Sequence, residues 1–131
     1  MEMEIFFPGN QRVHARYKGF VIETDQSQAG GGDGSAPSPF DLFLASIGTC
    51  AGFYVLNFLQ QRRLPTEGAG VVMTPERDPE TKLYNKVTLE IKLPAGFPDK
   101  YRDAVIRAAE TCAVKRHLDS PPAFETFVTI G

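Results

Sequence analysis

A long uncharged stretch in the middle of the chain limits the folds that are open to it. Residues 42–59 run for 18 positions without Asp, Glu, Lys or Arg. That length lies at the lower edge of what a helix needs to cross a bilayer. Small and polar residues interrupt the stretch at Ser46, Gly48, Thr49, Cys50, Gly52 and Asn57. We therefore expect no membrane span, but a helix buried on nearly all sides of a folded core.

The burial that this helix needs is large for a chain of 131 residues. Gly48 and Gly52 have the four-residue spacing of small side chains that lets two helices approach each other closely. We therefore expect a second subunit to cover part of the helix.

Composition narrows the class of protein. A hydrophobic fraction of 42% excludes a disordered chain, and the length of 131 residues favours one domain over 1–131. A net charge of -2 argues against a nucleic-acid partner, and two Cys are too few for a secreted disulfide scaffold. The N-terminus has no basic, apolar leader, so we expect a cytoplasmic protein with reduced thiols.

Residue patterns predict an α+β domain with the order β-β-β-α-β-β-α-β. Alternating apolar positions indicate strands, and Ser38-Pro39 marks the start of the long helix. The second helix carries Cys112 on its buried stripe. The Gly-rich residues 26–38 lack the motifs of a phosphate-binding loop, so we expect a mobile connection. The predicted elements are strands within 2–23, a helix over 38–63, strands over 70–77 and 82–93, a helix over 98–120, and a last strand over 124–130.

The two cysteines lie on these two helices, 62 residues apart in the chain. They are either buried thiols that pack as small hydrophobic groups or a functional pair. Small neighbours leave room around Cys50, and Lys115 and Arg116 would favour a Cys112 thiolate if the second helix continues past it. His117 lies five residues after Cys112, but there is no closely spaced ligand pair, so we expect no metal site.

Two motifs together resemble the OsmC/Ohr family of peroxide-reducing proteins. They are GDGSAPSPFDLFLASIGTC over residues 32–50 and AETCAVKRHL over residues 109–118. The resemblance implies an OsmC-like fold in which two sheets surround two long buried helices of an intertwined homodimer. It also implies thiol-dependent reduction of organic hydroperoxides by a Cys50/Cys112 redox pair, with no cofactor and with a dithiol reductant, which is of lipoyl type in the best-known members.

Two positions depart from the family's peroxidases. Those proteins place Glu directly after the helix-starting Pro, where this chain has Phe40, and its acid, Asp41, comes one residue later. Nine residues of helix turn the chain by about 900°, so Asp41 faces away from Cys50 and its position favours helix capping. The family also uses an N-terminal Arg beside the thiolate; Arg16 is our candidate, with Arg12 second, and a solvated strand face is the alternative for both.

Two further functions remain open. The chain is alternatively a non-catalytic OsmC-like dimer that binds a small hydrophobic ligand at the subunit interface, which Phe40 favours. The third function is that of a redox sensor, in which formation of a disulfide changes how the protein binds a partner. The retention of both Cys50 and Cys112 favours the peroxidase.

Overall fold

The computed structural model describes residues 1–131 and divides them into two compact units, Met1–Ala45 and Ser46–Gly131. It has two small antiparallel sheets and three α-helices, which confirms the predicted α+β class. The single domain over 1–131 stays a prediction.

The first unit contains a three-stranded sheet in the order β1-β2-β3. The strands are β1 (Glu4–Gly9), β2 (Arg12–Tyr17) and β3 (Phe20–Thr24). Tyr17 pairs with Phe20 across a two-residue turn in which Lys18 and Gly19 have φ angles of 46° and 81°. Positive φ at both positions is the geometry that matches the twist of a hairpin, and Gly19 adopts it without steric cost.

The Gly-rich loop that follows β3 is built around Asp25, which is 0% exposed. Its carboxylate accepts hydrogen bonds from the backbone N–H groups of Gln26, Asp33 and Ser35 and from the Ser35 hydroxyl, the last at 2.6 Å. The hydrogen bond from the Ser35 hydroxyl, together with those from the backbone N–H groups of Ser35, Gln26 and Asp33, lowers the pKa of Asp25 to about 2. These bonds outweigh burial, which would raise the pKa. The expectation of a mobile connection therefore needs correction, because a buried carboxylate ties the loop together.

Helix α1 (Pro39–Gln61) begins where the sequence predicts. The Ser38 hydroxyl accepts a hydrogen bond from the Asp41 backbone N–H at 3.2 Å, which satisfies a donor of the first turn. At the other end, Arg63 has a φ of 55°, and the Leu64 N–H donates to the Leu59 carbonyl at 2.9 Å. This left-handed residue with a six-to-one hydrogen bond is a Schellman ending.

The second unit contains the remaining strands and helices. Strands β4 (Gly70–Arg77) and β5 (Tyr84–Lys92) form an antiparallel pair, and a 3₁₀ turn (Asp99–Tyr101) leads into α2 (Arg102–Glu110). Apolar residues of β4 and β5 pack against a buried cluster that combines the C-terminal half of α1 with α2. That cluster consists of Ala51, Val55, Phe58, Leu59, Val105 and Ala109.

The predicted second helix is broken, and this corrects its boundaries. The Thr111 hydroxyl donates to the Ala108 carbonyl at 2.7 Å, and Cys112 is extended with φ of -62° and ψ of 143°. A new helix, α3 (Ala113–Asp119), begins after it. A Thr side chain that bonds to the backbone competes with the helical hydrogen bonds, so the chain turns at this point.

The predicted last strand is absent, so the observed order is β-β-β-α-β-β-α-α. Residues 121–131 contain no strand, and the apolar side chains at 124, 127, 128 and 130 are exposed. An alternating pattern forms a strand only where another backbone supplies the ladder of hydrogen bonds, and within one chain this segment has none.

Helix α1 is less enclosed than expected. Phe53 is 57% exposed and Leu56 is 41% exposed, and only 33% of the most apolar window is buried. The expectation of a helix buried on nearly all sides is thus wrong for the single chain, because β4, β5 and α2 cover only part of its circumference. Helix α1 is long and apolar enough to cross a membrane, but core helices of soluble proteins share the same length and composition.

Candidate active site

The fold brings Cys50 and Cys112 together. Cys50 lies in the middle of α1, and Cys112 lies at the junction between α2 and α3. The Cys112 side chain forms a hydrogen bond with the Cys50 sulfur, and both residues are free thiols. Two residues 62 positions apart in the chain are therefore neighbours at one point of the second unit.

The surroundings of Cys50 lower the pKa of its thiol. Burial alone would raise the pKa, since it penalises the charged form. Hydrogen bonds from the backbone N–H of Val114, the side chain of Cys112 and the backbone N–H of Ala113, followed by the positive charge of Arg116, outweigh that effect. The thiolate is the reactive form of cysteine, so this environment favours nucleophilic chemistry at Cys50.

Cys112 has a different environment. It is 2% exposed, and its sulfur accepts a hydrogen bond from the Lys115 backbone N–H at 3.2 Å, so it caps α3. The expectation that Lys115 and Arg116 flank its sulfur on a continuous helix is wrong, because the helix breaks at Cys112. The charge of Arg116 acts on Cys50 instead.

The other two predicted site residues belong to the first unit. The Arg16 guanidinium forms an ion pair with Glu4 at 3.0 Å and lies 4.2 Å from the centre of the Phe6 ring. Asp41 lies in the first turn of α1, where its backbone N–H donates to Ser38. Catalytic roles for Arg16 and Asp41 stay predictions.

The second candidate arginine, Arg12, is committed to the Gly-rich loop. It forms an ion pair with Asp33 at 2.8 Å and donates to the Ser35 hydroxyl at 3.2 Å. These two contacts hold the loop against β2 and occupy the guanidinium.

A cavity of about 560 Å³ opens beside the cysteines in the second unit. Its walls are apolar side chains of α1, β5 and α2, and its charged residues are Arg102, Glu110 and Lys115. Cys112 contributes to the lining and Cys50 does not. The apolar residues of the lining are Ile47, Ala51, Val87, Leu89, Ile91, Leu93, Val105, Ile106 and Ala109.

Sequence reasoning missed the backbone donors of Ala113 and Val114 and the cavity. The available signal was Thr111, a residue type that disfavours helix interiors and here precedes Cys112 at the break. A helix that restarts at Ala113 turns its first N–H groups outward, where they can reach another side chain. No local pattern indicated that this side chain would be Cys50.

The fold and the cysteine pair define a small α+β thiol protein. The family model of OsmC-like proteins matches residues 32–127. The chain belongs to the OsmC-like family, as its two motifs predict. No curated protein matches the sequence.

Solved structures share the fold at low sequence identity. A protein of Psychrobacter arcticus, described as an osmotic stress induced and detoxification response protein, is 21% identical over 87% of this chain and 85% of its own, with a TM-score of 0.72. An organic hydroperoxide resistance protein of Vibrio cholerae, with captopril bound in one of its active sites, is 17% identical over 92% and 86%, with a TM-score of 0.57. OhrB of Bacillus subtilis, another such resistance protein, is 14% identical over 92% and 93%, with a TM-score of 0.53.

Proposed function

We propose that this protein is a thiol-dependent peroxidase that reduces organic hydroperoxides through Cys50 and Cys112. The contact between the two thiols carries the proposal, since a peroxidase that forms a disulfide needs its second sulfur beside the first. The lowered pKa of Cys50 and family relatives named for organic hydroperoxide resistance support it.

The reaction has two steps before any reductant is needed. The Cys50 thiolate attacks the outer oxygen of the hydroperoxide, so an S–O bond forms, the O–O bond breaks, and the alkoxide leaves and takes up a proton. Cys50 is then a sulfenic acid, oxidised by two electrons. The Cys112 sulfur attacks the Cys50 sulfur, an S–S bond forms, and hydroxide leaves as water with the proton of Cys112. A dithiol reopens the disulfide by exchange.

A stoichiometric experiment tests this reaction without a reductant. Reduced protein is mixed with excess cumene hydroperoxide, and peroxide loss and free thiols are counted. We expect one peroxide consumed and two thiols lost per chain, no consumption by Cys50→Ser, and a trappable sulfenic acid in Cys112→Ser. Thr111→Ser is the control, since it keeps a hydroxyl at an exposed position beside Cys112. Peroxide left untouched by reduced wild type would contradict the proposal.

A non-catalytic ligand-binding protein is the second candidate. Two observations favour it: Phe40 stands where the family's peroxidases carry Glu, and a cavity of about 560 Å³ with apolar walls is large enough for a small ligand. In the stoichiometric experiment this candidate predicts intact peroxide and intact thiols. A redox sensor would lose its thiols, unlike the ligand-binding protein, but would not turn over peroxide with a dithiol, unlike the peroxidase.

We further propose that the protein acts as a homodimer in the cytoplasm. The apolar face of α1 around Phe53 and Leu56 is exposed in the single chain, which supports a second copy as its cover. The proposed reaction begins with both cysteines as thiols, which suits a compartment that keeps thiols reduced.

A further inference from the structure

A groove with polar walls lies between α1 and α2 in the second unit, away from the two cysteines. It has a volume of about 330 Å³. Its apolar lining residues are Phe58 of α1 and Ala104 and Ala108 of α2. We call it the arginine groove, because two arginines are among its polar lining residues. Those polar residues are Tyr54, Asn57, Gln61, Arg62, Arg107 and Thr111.

The arginine groove carries positive charge that no carboxylate balances. Arg62 and Arg107 take part in none of the ion pairs of the structure. No Asp or Glu lines the groove. Two guanidinium groups that share one groove repel each other, and an anion between them turns this repulsion into two attractions. The charge of the groove therefore favours an anionic ligand.

Contacts with the protein hold Arg62 and leave most of its donors free. Its guanidinium carbon lies 3.6 Å from the centre of the Phe58 ring and 5.3 Å from that of Tyr101. One terminal nitrogen donates to the Phe58 carbonyl at 3.5 Å. Because a guanidinium has five N–H donors, the others stay available to a ligand. A guanidinium that is already stacked on an aromatic ring loses less conformational freedom when it binds an oxyanion.

Neutral hydrogen-bonding groups of α1 lie beside the arginines. The hydroxyl of Tyr54 and the side-chain amides of Asn57 and Gln61 belong to the lining and form no hydrogen bond with the protein. Such groups both donate and accept, which suits the hydroxyl groups of a ligand. The volume of about 330 Å³ lies at the lower end of small-molecule pockets. The groove therefore has room for a small polar molecule that carries the anionic group.

We propose that the arginine groove binds a small phosphomonoester with a hydroxylated body, the chemistry of a sugar phosphate. Arg62 and Arg107 hold the phosphate, since the planar guanidinium matches two phosphate oxygens and a phosphomonoester carries a charge of about -1.5 to -2 at pH 7. Tyr54 is the group we assign to the body of the ligand. The inference is independent of the peroxidase proposal, because neither cysteine lines the groove.

A titration of ¹⁵N-labelled protein followed by NMR tests the site. Glucose 6-phosphate, glucose and inorganic phosphate are added separately at constant ionic strength. We expect glucose 6-phosphate to shift amides within 54–62 and 104–111 saturably, with a dissociation constant below about 1 mM. Glucose should shift none of them, and inorganic phosphate should bind at least about tenfold more weakly. No saturable shift with glucose 6-phosphate, or equal affinity for inorganic phosphate, would overturn the inference.

Substitutions separate the phosphate contacts from the contact with the body. Arg62→Gln and Arg107→Gln should each weaken glucose 6-phosphate at least about tenfold. Tyr54→Phe removes only a hydroxyl and should weaken glucose 6-phosphate about threefold while leaving inorganic phosphate unchanged. The control is Arg77→Gln, which removes the same charge from an exposed position of β4 outside the groove, and it should change affinity less than about twofold. Equal weakening in Arg77→Gln would show attraction by net charge alone and overturn the inference.

A purely structural role of Arg107 gives a different result. Arg107 lies in the last turn of α2, where a cation also interacts favourably with the helix dipole. That role predicts a lower melting temperature for Arg107→Gln and unchanged affinity for glucose 6-phosphate. Arg107→Lys keeps the charge but not the planar fork, so we expect affinity to fall about threefold or more with the melting temperature preserved. Wild-type affinity in both variants would overturn the inference, and the ligand-free amide spectrum of each variant verifies its fold.

Discussion

The thiol of Cys112 reaches the sulfur of Cys50 from the position that caps α3. Cys112 accepts a hydrogen bond from the Lys115 backbone N–H. The two preceding N–H groups of the same turn, those of Ala113 and Val114, donate to Cys50. The interruption between α2 and α3 thus supplies both the Cys112 sulfur and the N–H donors that favour a thiolate on Cys50.

Removing the charge of Arg116 should make Cys50 less reactive. Arg116→Gln takes away a positive charge that lowers the pKa of Cys50, so less thiolate forms at a given pH below that pKa. In a Cys112→Ser background, we expect the pH profile of alkylation by iodoacetamide to shift upward, with slower alkylation at every pH below its midpoint. Arg107→Gln on α2 is the control, because Arg107 is not among the groups that act on Cys50. An unchanged pH profile in Arg116→Gln would refute the role of this charge.

Acid should loosen the loop around Asp25. The pKa of Asp25 falls from 3.8 to about 2 on folding, so its contribution to stability is fully present above pH 3.8 and is lost as the pH falls through about 2. We expect amide hydrogens of residues 26–35 to exchange faster as the pH falls through this window, after correction for intrinsic rates. Asp25→Asn should show fast exchange at every pH, while Asp119→Asn, at an exposed position, behaves as wild type. A loop whose corrected exchange is independent of pH in wild type would contradict this prediction.

Gly32→Ala should destabilise the first unit. A Cβ at this position would collide with the Gln26 carbonyl oxygen and lie 2.7 Å from the Asp25 carboxylate, so the backbone must move. We expect a loss of about 1–3 kcal/mol in the free energy of unfolding, measured by urea denaturation. Gly70→Ala is the control, since its Cβ meets nothing within 4 Å and should leave stability nearly unchanged. Equal stability of the two variants would show that the loop is not closely packed.

A charge on the exposed face of α1 should prevent self-association. Wild type should sediment as a dimer, with twice the 14.4 kDa of one chain, because two copies bury the apolar face around Phe53. Phe53→Asp should sediment as a folded monomer, with circular dichroism as the check on folding. Leu83→Asp is the control, as Leu83 is exposed in the connection between β4 and β5. A monomeric wild type would contradict the proposed homodimer.

Local rules were enough where the structure depends on neighbours in the chain. The bounds of β4 match the prediction of 70–77 to the residue, and α1 begins after Ser38 and ends by Arg63 as predicted. Helix capping, turn geometry and the alternation of apolar and polar residues depend on residues a few positions apart, so the sequence predicts them directly. The two motifs identified the family in the same way, because each is a continuous segment.

The features that local patterns missed depend on groups beyond the reach of a turn or a helix cap. Asp25 gathers donors from as far as Ser35, and the break at Cys112 turns amides toward Cys50 of another helix. The segment 124–130 has the pattern of a strand but no backbone to pair with.

The sequence by itself determined the fold class, the family and the presence of two cysteines on separate helical segments. Only the tertiary structure decided that Cys50 and Cys112 touch and that Val114 and Ala113 donate to Cys50. Backbone conformation is selected largely by neighbouring residues, whereas the pKa of a thiol and its access depend on which distant groups the packed core brings beside it.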